Sequence, residues 1–105
     1  VGVPLSIKEE RYMTKYKVKL KVVEIQGSGK CPLGHKVGDE FVYQGWPIAN
    51  LCPAAFNTLY PVIRVLSYGG KVGDGENEHR IRLCCYDPAN PTVFELERLN
   101  EEYTY

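Results

Sequence analysis

Four side chains in this sequence have the types that ligate soft metals or perform thiol chemistry: Cys31, His35, Cys52 and Cys85. Cys31 and Cys52 each precede a proline, and His35 follows Cys31 by four residues, a spacing that lets one tight turn aim a thiol and an imidazole at a common centre. Thiolate and imidazole are the ligands that zinc takes, and thiolates also hold iron–sulfur clusters. The cofactor this set would hold is therefore a transition metal, zinc or iron. The paired Cys-x-x-Cys of a zinc ribbon is missing, so the ligands must be gathered by the fold and not by local spacing. A single zinc would be demanding. With metal–sulfur bonds of about 2.3 Å, the sulfurs of Cys31, Cys52 and Cys85 must stand within roughly 4 Å of one another.

Two other readings compete. Cys52 falls at the start of the one helical stretch, where negative charge is favoured, and His35 would serve as its base if the Cys31 turn lies over the helix start. Asp39 or Glu40 would then orient the imidazole. In that reading Cys52 and His35 are the catalytic residues of a thiol-dependent enzyme. In the plainest reading the cysteines are small buried hydrophobes, the histidine is satisfied by a backbone carbonyl, and the module is an accessory domain that binds a partner, small molecule or protein, without chemistry. Cys84 points away from Cys85 if both lie in a strand, which argues against their pairing.

Other candidates are weaker. Gly27-Ser28-Gly29-Lys30 has the look of a phosphate loop, but that motif opens a helix with Gly-Lys-Ser/Thr, whereas Cys31-Pro32 follows here. The stretch reads as a turn. Trp46, Tyr60 and Tyr68 would line a ligand pocket or, more simply, belong to the core. Arg80 and Arg82 share a strand face, suited to an anion or to solvent.

The elements that must position these residues follow from periodicity. Residues 52–68 read as the helix, with Pro53 at its first position, Cys52 as N-cap, and Gly69-Gly70 as the stop. Its apolar stripe is Ala55, Phe56, Leu59, Val62, Ile63 and Leu66, and Pro61 predicts a kink or two short segments meeting near Tyr60. From Lys15, Tyr16, Val18, Leu20 and Val22 alternate with Lys15, Lys17, Lys19 and Lys21, a half-buried strand whose parity slips at Val22-Val23 and so predicts a bulge or a strand end buried on both faces. Phe41 to Tyr43 forms a second strand. His79 to Tyr86 forms a third, with Ile81, Leu83 and Cys85 inward, and Thr92 to Leu99 a fourth, with Phe94 and Leu96 inward and Glu95 and Glu97 outward. The lysines of the first strand would complement those glutamates if the two strands are neighbours.

The fold class that results is α+β: a mainly antiparallel sheet of about four strands with one Pro-interrupted helix packed on one face. Residues 1–12 read as a flexible arm, 13–99 as one domain, and 100–105 as a loose tail with exposed tyrosines. Met13, the only methionine, is a candidate start site. The 13 basic and 13 acidic residues balance, so neither nucleic acid nor an anionic membrane is an expected partner. No apolar run approaches the length of a bilayer span, and residues 1–12 lack the features of a signal peptide. A cytoplasmic protein with free thiols is expected. A small core, an open sheet edge and 8 tyrosines make a homodimer the expected form of any self-association.

Several stretches together resemble a family of small proteins with no assigned reaction, seen mostly in anaerobic bacteria and archaea. They are Lys17 to Ile25, Cys31-Pro32-Leu33-Gly34-His35-Lys36-Val37-Gly38-Asp39-Glu40-Phe41, Cys52-Pro53-Ala54-Ala55-Phe56, Leu59-Tyr60-Pro61 and Asn90-Pro91-Thr92-Val93-Phe94-Glu95. The resemblance runs from Met13 to about Leu99. The family pattern has Cys-Pro-Asp where Cys85-Tyr86-Asp87 stands here, and commonly a histidine in place of Asn57, which removes one candidate ligand or base. What the resemblance implies is a shared site at Cys31, His35, Cys52 and Cys85, without naming its use.

Overall fold

The alternation that begins at Lys15 becomes an eleven-residue strand, β1 (Lys15–Ile25), and everything else is built around it. A computed structural model of the chain describes residues 15–73 and 77–103. The expected arm at 1–12 lies outside the described residues. After β1 come β2 (Glu40–Tyr43), the helix α1 (Pro53–Ser67), β3 (Arg80–Cys84) and β4 (Thr92–Tyr103). The sheet has the order β2-β1-β4-β3 with every neighbour antiparallel, and α1 packs on one face. This is the α+β arrangement the periodicity predicts.

Val18, Leu20 and Val22 of β1 and Phe94 and Leu96 of β4 meet Ala55, Leu59, Ile63 and Leu66 of α1, and all are buried. Phe56 and Val62, also in the expected stripe, pack at its margin. Each fully buried aliphatic side chain contributes about 1.5–3 kcal/mol relative to exposure. On the other sheet face, Lys19 lies opposite Glu97 and Lys21 opposite Glu95, with Arg80 and Arg82 of β3 on the far side of the same glutamates. Lys19 Nζ approaches Glu97 at 3.7 Å and Arg82 Nε approaches Glu95 at 3.2 Å. Arg82 is thus held by Glu95 in an ion pair, and such partly exposed pairs add about 0–1 kcal/mol each.

The bulge falls where the parity slips. Between Val22 and Glu24, β1 advances two residues while β4 advances one, so Val23 is the extra residue. Its effect is to turn Ile25 back against the core, where unbroken alternation would have placed it on the lysine face. Lys15 departs from the expected solvated row: it is buried, with its ammonium 5.2 Å from the Tyr68 ring.

Two expectations are corrected. Of the two forms expected at Pro61, a kink or two short segments, the second is excluded: α1 is one helix from Pro53 to Ser67 with Pro61 inside it. Pro61 and Asn57, whose carbonyl loses its donor, both sit on the exposed side, where water can replace the lost bond. Residues 100–103 are not a tail. They extend β4 along the start of β1, with Lys15 opposite Tyr103, and the Tyr103 hydroxyl lies 2.9 Å from Ser67 Oγ.

The C-terminal end of α1 is tied to the sheet. At its C-terminus Gly69 adopts a positive φ of 82°, its N–H reaches the Leu66 carbonyl (3.0 Å), and the Gly70 N–H reaches that of Val65 (2.8 Å), which is a Schellman stop. Arg98 of β4 donates to the Gly70 carbonyl at 2.6 Å, placing a cation at the negative helix end.

The Gly27 turn docks on the β3–β4 connection. The Gln26 N–H donates to the Pro91 carbonyl (2.9 Å), and the Asn90 side-chain oxygen accepts from the Ser28 N–H (3.0 Å) and hydroxyl. Gly27 has a φ of 70°, and a Cβ there would lie 1.9 Å from the Ala89 carbonyl oxygen. Gly29 has a similar φ of 78° with open space around it. Gly27→Ala should therefore destabilise the fold by on the order of 2–4 kcal/mol and Gly29→Ala by only about 1 kcal/mol, the first adding displaced backbone to the left-handed strain they share. Urea denaturation of the two variants checks the difference, and equal midpoints would refute the docking role.

Candidate functional site

The end of the sheet where β1 stops and β4 starts collects the chemistry-bearing residues. The loop after β1, the segment entering α1 and the β3–β4 connection all converge there. Cys31 opens a turn closed by the Gly34 N–H on the Cys31 carbonyl at 2.9 Å, Cys52 is the residue before the helix, and Cys85 follows β3. All three border one cleft of about 490 Å³, whose walls are mostly apolar and include Leu33, Ala54 and Pro88. Cys84 is exposed and takes no part in its lining, as strand alternation predicts. All four cysteines are free.

His35 does not join this cleft. It is 8% exposed and stands edge-on to Phe41 and Phe94, at centroid distances of 5.4 and 6.2 Å. Its Nε2 accepts a hydrogen bond from the Cys52 backbone N–H at 3.0 Å, which makes Nε2 the unprotonated nitrogen and assigns the proton to Nδ1. The turn therefore does lie over the helix start, as every reading of the site requires. The imidazole lone pair at Nε2 is engaged by an amide, however, so that ligation by this nitrogen or proton abstraction from Cys52 would each require this bond to break. Its partner is also a backbone N–H and not the expected carbonyl. Asp39 does not orient the ring either, because its carboxylate accepts the Lys36 N–H at 2.9 Å, and Glu40 is exposed.

Cys52 makes no side-chain cap, so the first turn of α1, with the amides of Ala54 and Ala55, opens without a capping acceptor. Cys85 is held more closely. Its N–H donates to the Thr92 carbonyl (3.0 Å), and its sulfur accepts the Thr92 N–H at 3.3 Å. Thr92, 1% exposed, also borders the cleft, and its hydroxyl has no hydrogen-bond partner among the described residues. Sequence reasoning passed over Thr92 because a β-branched residue suits a strand, though its parity with Phe94 and Leu96 marks it as inward. Asp87, another cleft residue, is occupied in its own turn, accepting the N–H groups of Ala89 (2.9 Å) and Asn90 (3.3 Å).

As the side chains stand, no group of three or more His, Cys, Asp or Glu among the described residues is arranged to hold a metal ion. The aromatic residues lie elsewhere. Trp46 and Tyr60 border a small cavity of about 80 Å³ with Tyr43 and Phe56, while Tyr68 is exposed. The Arg64 guanidinium donates to Tyr60 Oη at 3.2 Å and, with a hydrogen bond involving Tyr43, holds the Tyr60 phenol below its usual range. No family model, curated protein or solved structure matches this chain.

The geometry makes His35 a positioning residue. His35→Ala should cost about 2–4 kcal/mol, by leaving the Cys52 amide without its acceptor and a void between Phe41 and Phe94. His35→Gln, whose amide oxygen can reach the Nε2 position, should recover part of that loss. Hydrogen exchange at the Cys52 amide is the specific readout: fast in the alanine variant and protected in the glutamine one.

Proposed function

We propose that this module binds a transition metal, zinc or iron, through the thiolates of Cys31, Cys52 and Cys85, with His35 fastening the turn behind them. The observation that carries the reading is the gathering of three thiols, from positions 31, 52 and 85, around one cleft while the fourth faces away. Thiolate is the protein donor with the strongest preference for such metals. The three segments that bear the thiols are also fastened to one another: His35 ties the Cys31 turn to the helix start, and the Gly27 turn ties the same loop to the β3–β4 connection.

The thiol-enzyme reading needs a base for Cys52, and His35 Nε2, the nitrogen nearest to it, is engaged by the backbone. This favours a bound metal over nucleophilic catalysis.

Protein purified without oxygen should contain stoichiometric zinc or iron by elemental analysis. Cys31→Ser, Cys52→Ser and Cys85→Ser should each lose it, while Cys84→Ser keeps it. Metal-free protein that takes up neither ion on addition would end the proposal, as would equal loss in Cys84→Ser.

A further inference from the structure

Independently of the metal reading, we infer that the outer edge of β3 is a docking site for an extended segment of a partner protein, in which acidic residues alternate with apolar ones, added to the sheet as a further strand. The sheet order leaves β3 at one edge. Its odd-numbered residues turn their backbone groups toward β4, as the two bonds that flank the strand establish: the Arg98 N–H donates to the His79 carbonyl at 2.9 Å, and the Cys85 N–H donates to the Thr92 carbonyl at 3.0 Å. In an antiparallel ladder the residues between these turn their N–H and C=O groups the other way. The backbone groups of Arg80, Arg82 and Cys84 therefore point out of the sheet, and all three residues are exposed. The Arg80 N–H is taken by the Asn77 carbonyl (3.4 Å), which leaves the backbone of Arg82 and Cys84 as the template for pairing.

Charge says what that segment carries. On the face away from α1, one row across the sheet runs Glu40, Lys21, Glu95, Arg82 in alternating sign, and the next runs Val42, Lys19, Glu97, Arg80. Glu95 and Glu97 thus lie between Lys19 and Lys21 on one side and Arg80 and Arg82 on the other, and both rows end on an arginine at the β3 edge. The Arg82 side chain stays 64% exposed even with its Nε 3.2 Å from Glu95. Opposite charges on directly facing residues stabilise a strand pair and like charges destabilise it, so an acid opposite each arginine continues the pattern that already joins β1 to β4. On the other face Ile81 and Leu83 sit partly buried at the margin of the core, where the segment's alternate apolar residues would cover them.

The same charges argue against a second copy of this chain at the edge. Within two β3 strands paired about a two-fold axis, the outward residues available to face an arginine are another arginine and Cys84. The β2 edge of another copy offers Glu40 alone, beside Val42, and leaves that copy's own β3 open, so such a contact does not close. A separate segment with acids at alternate positions meets both arginines at once, while main-chain hydrogen bonds to Arg82 and Cys84 fix its register.

The test is amide hydrogen exchange, read by NMR, on the full chain with a capped peptide in which Glu alternates with Val, and with a control peptide in which Lys replaces each Glu. The Glu peptide should slow exchange at the Arg82 and Cys84 amides and leave those of Glu40 and Val42, on the opposite edge, unchanged. Its affinity should fall on the order of tenfold or more when Arg80→Glu and Arg82→Glu are combined, because two attractive cross-strand pairs become repulsive, and that variant should prefer the Lys peptide. Methylating the backbone nitrogens of the Glu peptide should abolish binding, which simple attraction between charges would survive. No protection at millimolar Glu peptide, equal binding of the two peptides by the unmodified chain, or binding by the methylated peptide would each overturn the inference. Protection of the Arg82 and Cys84 amides without peptide, in a chain that light scattering finds dimeric, would overturn it by assigning the edge to a second copy. Because protection and charge preference are read on the unmodified chain, a variant that fails to fold does not blunt the test.

Discussion

The hydrogen bond from the Cys52 amide to His35 Nε2 is the constraint on which the site depends. A helix start leaves donors without partners, and a local capping box meets the N-cap amide with a Glu or Gln three residues on. Here that position is Ala55, which faces the core, and the acceptor comes instead from a turn seventeen residues earlier in the chain. A structural debt of the helix is thereby met by the loop that carries Cys31. The imidazole is well suited to the task because its edges pack against Phe41 and Phe94 while one nitrogen remains an acceptor. Pro53 sharpens the dependence, since it has no N–H and leaves the Cys52 amide as the donor at that point.

Arg98 does the corresponding work at the opposite end of α1, where it meets the Gly70 carbonyl. With both ends fixed, the helix has little freedom to slide on the sheet, and Cys52 keeps a set position relative to β4. The other two thiols are referred to the same strand: Cys85 through its pair of bonds with Thr92, and Cys31 through the Gly27 turn on the β3–β4 connection. A site built in this way is positioned by elements with buried faces, even though all three cysteines lie just outside regular structure.

Much of this frame was legible in the sequence, and what was not has physical causes. The alternation in β1 and β4 announced their faces, the lysines and glutamates announced their adjacency, and the parity slip at Val22-Val23 announced the bulge. Those signals are local. The end of β4 was missed because Asn100, Glu101 and Glu102 have no strand pattern of their own; the segment is held by Glu102 and Tyr103 pairing with Tyr16 and Lys15, and by Tyr103 against Ser67. The division into two segments at Pro61 did not occur, since Pro61 and Asn57 both lie on the exposed side, where water can meet the carbonyl that loses its donor. For the site, the condition that the Cys31 turn lie over the helix start is met, but nothing in the sequence says which atom of Cys52 His35 then faces. The difference between a base and a cap lies in that choice. Thr92 was invisible because an unpartnered hydroxyl is a property of surroundings, not of residue type.

Charge separates the two chemical uses of the thiols. A nucleophilic thiolate needs a resident positive partner, whether an imidazolium, a lysine or an arginine. Among the described residues the cleft lining contains no Lys, Arg or His, and its one ionisable side chain besides Cys and Tyr is the carboxylate of Asp87. The imidazole nearest to Cys52 presents an unprotonated nitrogen to the backbone and so brings no positive charge to the sulfur. Metal ligation requires deprotonated thiols, so a metal that binds brings its own cation as the protons leave. The uncapped helix start is too weak to replace it, since a helix end supplies about half an elementary charge and its influence fades within a turn. A cleft bordered by three thiols and a carboxylate, with no Lys, Arg or His lining it among the described residues, is thus poorly made for a standing nucleophile, which is the ground for preferring the proposed metal.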